Sequence, residues 1–337
     1  MQFLIVKLSA LGDVIQTLPA LNLLKRVYPE AEIDWIVEER NGELLLDHPY
    51  LRRVFFFKKV FFKNPGKFFS FIRNLRKTQY TAIIDFQGLL KSGILTFFAK
   101  SKYKIGFSNH REGSPLFYNV KFPPFDPELH AVKRYLLLVK NTVNFLTPEV
   151  SFSFPEDEIL YHHPLVEHKP TLETKRPYLI LIPGARWETK LWPFAHWKSF
   201  LELSSELRKK YDFYFIGSEK EREIKIWAEE MEKSFSGVFS LIGKLSLKEV
   251  VFLIKRAEFI VSVDTGTMHL ASLLNRPILA LFGPTSPQRT GPWSKNSFVI
   301  QEKLSCVPCF KRRCLTLTCM QGLSPEKVWT KLKELLS

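Results

Sequence analysis

The chain lacks any apolar run near the roughly 18–20 continuous residues that a membrane-crossing helix needs, so no helical span is expected. It also lacks a basic leader ahead of its first apolar run, MQFLIVKLSALGD. That opening therefore reads as a buried strand rather than a secretion signal, and a cytoplasmic location is expected. No low-complexity tract and no short tandem repeat is present. Cysteine is scarce: there are four, all within SCVPCFKRRCLTLTCM, at Cys306, Cys309, Cys314 and Cys319. Their C-x2-C-x4-C-x4-C spacing suits a structural zinc or iron, because clustered thiolates are common ligands; disulfides and plain thiols are the alternatives. Acid is also in short supply, 34 acidic against 49 basic residues, a net charge of +15. That balance favours an anionic partner: nucleic acid, acidic lipid or a phosphorylated substrate.

What is present is a chain of 337 residues, 45% apolar, which excludes a disordered protein and leaves room for two domains with a core each. Thirty phenylalanines, many beside lysines, add an apolar side to the anionic partner.

The first half alternates between strand and helix patterns. Strands are predicted at 2–8, 31–39, 53–58 and 81–87, and helices at 12–29, 88–100 and 129–146, with Pro19 marking a kink or a late start. Residues 154–177, rich in proline, histidine and charge, read as a link. The pattern then restarts, with strands at 178–184, 212–218 and 257–264 and helices at 196–211, from Glu219, and at 245–257. A last helix, 324–337, opens on Ser324 as N-cap and Pro325. The expected class is α/β, with parallel doubly wound sheets. The expected boundaries are 1–155, a linker at 156–177, 178–323, and the terminal helix 324–337.

Ligands of open parallel sheets bind at the carboxyl ends of strands. Four strand exits carry polar groups. In KLSALGD (7–13), Asp13 lies at a helix start, where the positive helix end favours a carboxylate able to act as general base toward a hydroxyl; a plain helix cap fits the same pattern. In DFQGLLKS (85–92), glutamine, glycine and Lys91 suit a polar or anionic ligand, or a simple turn. In PGARWETKLWP (183–193), Thr189 and Lys190 are placed for phosphate oxygens, or the loop is merely solvated. In SVDTGTMHLA (262–271), the helix start at Thr265-Gly266-Thr267 offers backbone N–H groups to a pyrophosphate. Asp264 there suits sugar hydroxyls, and His269 suits either a phosphate or the core. Together these exits place one site in each half, facing a common cleft.

The segment 55–77 interleaves seven basic residues with eight phenylalanines and carries no acid. Phe68, Phe69, Ile72 and Leu75 have helical spacing. The loop from Lys58 to Lys67 suits a nucleic acid backbone or an anionic amphiphile at a membrane, or it is a solvated basic face.

IVKLSALGDVIQTLPAL (5–21), DWIVEE (34–39), DFQGLLKS, WETKLWP, SVDTGTMHLA and FGPTSP (282–287), in this order, resemble one family, the ADP-heptose:lipopolysaccharide heptosyltransferases of glycosyltransferase family 9. DWIVEE and the tryptophan-lysine pattern resemble heptosyltransferase I, whereas CVPCFKRRC and FGPTSP look more like heptosyltransferase II; the first-domain motifs favour I. The resemblance implies a GT-B fold, two facing Rossmann-like domains with an interdomain cleft. It implies inverting transfer from ADP-heptose to the Kdo of Kdo-lipid A, with no cofactor required for catalysis. It makes Asp13 the base and Lys190 the cation on the leaving phosphates. Asp264, Thr189, Thr265, Gly266 and His269 would surround the nucleotide sugar, Glu219 the ribose and Leu245 the adenine. Ser9, Gly12, Gln87, Lys58, Lys59, Lys63, His130 and Arg134 would serve the acceptor. A peripheral place at the cytoplasmic face of the inner membrane follows, with no nucleic-acid partner. Transfer of another nucleotide sugar, and a non-catalytic anionic-surface or nucleic-acid binder, are the competing readings.

Overall fold

The structure is a computed structural model and describes residues 1–150, 159–160, 163–172 and 174–336. It divides into two compact units, Met1–Val166 and Glu167–Ser337. Part of the predicted 156–177 link lies outside the described residues.

The first unit contains a six-stranded parallel sheet. Its strands are β1 (Gln2–Val6), β2 (Glu32–Glu38), β3 (Arg53–Phe57), β4 (Tyr80–Asp85), β5 (Ser101–Phe107) and β6 (Val120–Phe122), in the order β3-β2-β1-β4-β5-β6. The connecting helices include α1 (Leu11–Val27), α2 (Pro65–Leu75), α3 (Leu90–Phe98) and α4 (Ala131–Leu146). Pro19 sits inside α1, so the helix begins before it rather than late. The second unit repeats the plan. Its strands are β7 (Tyr178–Ile182), β8 (Asp212–Phe215), β9 (Val238–Ser240), β10 (Phe259–Val263), β11 (Ile278–Phe282) and β12 (Ser297–Gln301), ordered β12-β11-β10-β7-β8-β9. Counted within its own unit, each sheet has the order 3-2-1-4-5-6, the doubly wound arrangement whose chain reverses direction beside the first strand.

Central strands are apolar throughout because helices cover both faces. FLIV of β1 and YLILI of β7 are fully buried. The predicted helix over 196–211 is two, α5 (Phe194–Leu203) and α6 (Ser205–Lys210). Ser204, fully buried between them, turns its hydroxyl onto the Leu201 carbonyl at 3.0 Å. The terminal helix Pro325–Leu336 packs into the second unit, with Val328 and Leu332 in its core and Trp329 against Phe200.

One polar cluster is built into the first sheet. Asp34 of β2 is fully buried and receives Arg52 through two bonds of 3.0 and 2.7 Å, Arg53 at 2.8 Å and the Tyr80 hydroxyl at 2.7 Å. Burial pushes its pKa up, but the hydrogen bonds from Arg52, Arg53 and Tyr80 outweigh that and hold it below the ordinary carboxylate value. A depressed carboxylate pKa contributes stability that is complete above the unfolded pKa, about 4, and is lost as pH falls through the folded value. Asp34→Asn is therefore expected to cost about 2 kcal/mol at neutral pH. A fully buried pair broken on one side costs about 3–5 kcal/mol; here Arg52 and Arg53 remain in reach of water. Urea unfolding at pH 7 and pH 3 checks this: the gap between parent and variant should shrink at the lower pH.

Candidate active site

Each sheet has one topological switch point, between its first and fourth strands. In the first unit the flanking strands are β1 and β4, in the second β7 and β10. The four polar strand exits of the sequence are the four loops at these two points.

At the first, the chain leaves β1 at Val6 and enters α1 at Leu11. Gln87 ties the two loops together, its side-chain oxygen accepting from the backbone N–H groups of Leu8 and Ser9 at 3.0 and 2.9 Å. Asp13, half-buried in the first turn beside Gly12, accepts from the Ala10 N–H at 2.8 Å with one oxygen. Its other oxygen faces the Tyr135 hydroxyl at 3.5 Å. Lys7, buried, donates to that hydroxyl at 2.7 Å. A cation therefore acts through a tyrosine of α4 on the carboxylate, an arrangement that exceeds a simple cap. Lys91 bridges Glu38 at 2.6 Å and the Ser9 hydroxyl at 3.3 Å. Lys7 and Glu38 lie in KLSALGD and DWIVEE, segments that the sequence marks without giving either residue a role, and nothing local marks Tyr135.

Asp85 is not a ligand-facing group. It is fully buried and accepts from the Gln87 and Gly88 N–H groups, Ser92 and Tyr118, at 2.9, 3.0, 2.8 and 2.7 Å. Burial raises its pKa against those four donors. His130, also buried, is the N-cap of α4, its ring nitrogen accepting from the Val132 N–H at 3.2 Å. Arg134 lies one residue from Tyr135, its guanidinium 4.8 Å from the Phe125 ring. Lys58, Lys59 and Lys63 follow β3 on the same carboxyl edge but two strands from β1, and Lys58 is paired with Glu39 at 2.8 Å.

At the second switch point Lys190 and Asp264 form an ion pair of 2.6 Å; their side chains are 17% and 4% exposed. The Thr285 hydroxyl donates to the same Asp264 oxygen at 2.6 Å. Thr285 belongs to the GPTSP loop, which Gln301 holds through the Gly283 and Thr285 carbonyls at 2.9 and 2.7 Å. Lys190 lies 4.7 Å from the centre of the Trp187 ring, and Arg312 lies 5.0 Å from it. The Thr189 hydroxyl is spent on the Lys311 carbonyl at 2.8 Å. Helix α7 (Gly266–Leu273) starts after Thr265, whose side chain does not cap it, so its first N–H groups stay open to a ligand. His269 is buried in that helix.

Glu219 is exposed, with its backbone close to Gly243, and Leu245 is half-buried ahead of the next helix. The carboxylate nearest the β7 and β8 exits is Glu221. A Cβ on Gly184 would fall 2.2 Å from it and one on Gly217 2.6 Å, so both glycines are required by its approach. Burial raises its pKa, and it accepts from the Ser218 N–H at 2.8 Å. The two glycines closing strand exits were the sequence signal for it.

The cysteine loop does not gather ligands. Cys306 and Cys314 are exposed, Cys309 half-buried and Cys319 buried, none in a disulfide. Among the described residues no group of three or more histidine, cysteine or acidic side chains is arranged to hold a metal ion. The described residues thus give no support to the zinc or iron expected from the spacing. The backbone is instead recruited to the GPTSP loop, with Cys309 and Phe310 N–H groups on the Pro284 carbonyl at 3.0 and 2.8 Å. Elemental analysis of purified protein is expected to find zinc and iron well below one equivalent; a stoichiometric metal lost on replacing Cys309 would overturn this.

The model for glycosyltransferase family 9 (heptosyltransferase) matches residues 68–319. The chain is 30% identical to lipopolysaccharide heptosyltransferase 1 of Pseudomonas aeruginosa, covering 100% of this chain and 98% of that protein. It is 32% identical to lipopolysaccharide heptosyltransferase 1 of Escherichia coli K12, over 89% and 93% of the two chains. The solved structure of E. coli heptosyltransferase WaaC with ADP superposes with a TM-score of 0.80 at 27% identity, covering 99% of this chain and all of that one. The two six-stranded parallel sheets are therefore those of the GT-B class, and the chain belongs to glycosyltransferase family 9, the heptosyltransferases.

Proposed function

We propose that the protein transfers heptose from ADP-heptose, with inversion, to the Kdo of Kdo-lipid A in lipopolysaccharide inner-core synthesis. One observation carries the reading: a carboxylate stands at one switch point, Asp13, and a cation at the other, Lys190. Relatives named lipopolysaccharide heptosyltransferase 1, and a similar E. coli structure holding ADP-2-deoxy-2-fluoro heptose, support the donor and the type. The first unit takes the acceptor and the second the nucleotide sugar.

Asp13 removes the proton of the acceptor hydroxyl as its oxygen attacks the anomeric carbon opposite the ADP group. The bond from that carbon to the ADP oxygen breaks, and Lys190 neutralises the charge left on the phosphates. Before donor binds, Lys190 and Asp264 satisfy each other. With donor bound, the pyrophosphate replaces Asp264 on Lys190, and sugar hydroxyls replace Lys190 on Asp264. N–H groups after Thr265 and Gly266 meet the phosphates, with His269 behind them. Glu221, rather than the exposed Glu219, is placed to accept from donor hydroxyls, with Leu245 beside the base. No metal or cofactor enters these steps. Ser9, Gly12, Gln87 and Arg134 border the acceptor, and the protein works peripherally at the cytoplasmic face of the inner membrane.

The test is transfer from ADP-heptose to Kdo-lipid A and, separately, to heptosyl-Kdo-lipid A. Product with the first acceptor alone is expected. Product only with the second would assign the second heptose, and no product with either would overturn the reading. Replacing Lys58, Lys59 and Lys63 by alanine should raise the acceptor KM about tenfold to a hundredfold, less at high salt, at about 1 kcal/mol per lysine near an anionic surface. Lys58 contributes least, since Glu39 already neutralises it. The donor KM should not follow; equal loss for both substrates would make the loop structural.

A further inference from the structure

Helix α2 buries Phe68, Ile72 and Leu75, while Phe69, Ser70, Arg73 and the following Lys77 stay exposed. Two open grooves flank that outer face, of 630 and 480 Å³, and Ser70, Arg73 and Lys77 border both. Arg76 and Lys100 complete the first. Beneath runs a continuous row of rings. Phe62 stacks on Phe68 at 5.6 Å, Phe68 meets Phe69 at 5.8 Å and Phe98 at 5.6 Å, and Phe97 meets Phe98 at 5.3 Å and Phe117 at 5.9 Å. The row surfaces at Phe62, Phe69 and Phe97, which are 42%, 59% and 54% exposed, and Leu116 protrudes beside Phe117 at 82%.

The sequence that supplies most of this row carries charge of nearly one sign. Between Asp47 and Glu112 the only acidic residue is Asp85, which is fully buried, while the same stretch carries fourteen lysines and arginines. Arg73, Lys77 and Lys100 have no carboxylate partner among the described residues. Arg76 donates to the Phe98 carbonyl at 2.8 Å and Lys104 to the Phe97 carbonyl at 2.6 Å, which fixes two cations beside the exposed rings. Exposed apolar groups of this number on a monomer mark an interaction surface. Basic side chains around phenylalanine and leucine are the composition of helices that lie in a bilayer interface. Leucine and valine, at Leu116 and Val60, offer nothing for a nucleobase to stack on, whereas an acyl-chain boundary accepts both.

We propose that this face of the first unit docks on an anionic lipid bilayer. Phe69 and Phe97 enter the interface, and Arg73, Arg76, Lys77 and Lys100 meet headgroup phosphates. The surface adjoins the Lys58–Lys63 loop, whose Phe62 opens the ring row, and its cations Arg76, Lys77 and Lys100 precede β4 and β5, at the opposite edge of the sheet from the first unit's switch point. It rests on the reading of the acceptor as a membrane lipid and adds the contact that holds the enzyme at that lipid's surface.

The experiment is flotation of the full chain with vesicles of phosphatidylethanolamine containing about a third phosphatidylglycerol, and with neutral phosphatidylcholine vesicles. The parent should float with the anionic vesicles only. Arg73→Gln/Lys77→Gln should bind them about 30-fold more weakly at low salt. Phe69→Ala/Phe97→Ala should lose the binding that survives high salt. Both variants should transfer heptose to a water-soluble, deacylated acceptor as the parent does. Unchanged flotation of both variants would overturn the proposal, as would binding of a single-stranded oligonucleotide in preference to vesicles. Flotation as expected without transfer by the parent would instead sink the reading of the activity, so the two failures are distinct.

Discussion

Asp13→Asn is expected to fold and bind ADP as the parent does while turnover falls by about 10²–10⁴, the usual cost of removing a general base. The substitution is chosen for its geometry. The asparagine oxygen can still accept from the Ala10 N–H, the bond of 2.8 Å that closes the start of α1. What it cannot do is take a proton from the acceptor. The loss should appear in kcat and kcat/KM alike, because the interaction removed exists only in the transition state. A companion variant, Tyr135→Phe, removes the hydroxyl between Lys7 and Asp13 and should show a smaller loss of turnover. Turnover near the parent's in Asp13→Asn, with Asp13 and Asn forms equally folded, would leave Asp13 a helix cap and nothing more.

Lys190→Ala is expected to lower turnover about 10²–10³-fold, as removal of a preorganised charge-stabilising group does elsewhere, and to weaken ADP binding. It also leaves Asp264, almost wholly buried, with Thr285 as its only donor among the described contacts. An uncompensated buried carboxylate is destabilising, so lost activity alone would not separate a chemical role from a structural one. The double variant Lys190→Ala/Asp264→Asn makes the separation. Removing the charge from the second position should restore thermal stability toward the parent's but not turnover or ADP affinity. Recovery of ADP affinity together with stability would reduce Lys190 to a structural counter-ion. Calorimetric titration with ADP, alongside thermal unfolding, reads both.

The fold class was legible because buried parallel strands such as FLIV and YLILI are apolar end to end, and the helices between them carry a different period. The strands not predicted include β5, β6, β9 and β12. β6 and β9 have only three residues each, too short for a pattern to register, and Lys102 and Lys104 interrupt the apolar pattern of β5. Ser204 breaks a helix that its flanking sequence would have continued: its buried hydroxyl takes the Leu201 carbonyl, to which the Arg208 guanidinium also donates at 3.3 Å.

The four loops of the candidate site were legible for a related reason. Polar groups and glycines directly after an apolar strand have no role in a core, and the strand order makes those exits the switch points. Which of their side chains remain available was not legible, since Asp13 and Asp85 look alike on the page. Tertiary contacts set them apart: Asp85 is enclosed by four donors, while Asp13 keeps an oxygen toward Tyr135 across 122 positions of sequence. The same holds for Lys58, neutralised by Glu39, for Glu221, drawn in by two glycines, and for four cysteines whose spacing suits a metal but whose thiols form no metal-holding group among the described residues. Local pattern determines where backbone polar groups and apolar faces must go, because those requirements are met within a few residues. The partner of a charged or thiol side chain comes from a distant strand, and only the packed sheet brings it within hydrogen-bonding distance.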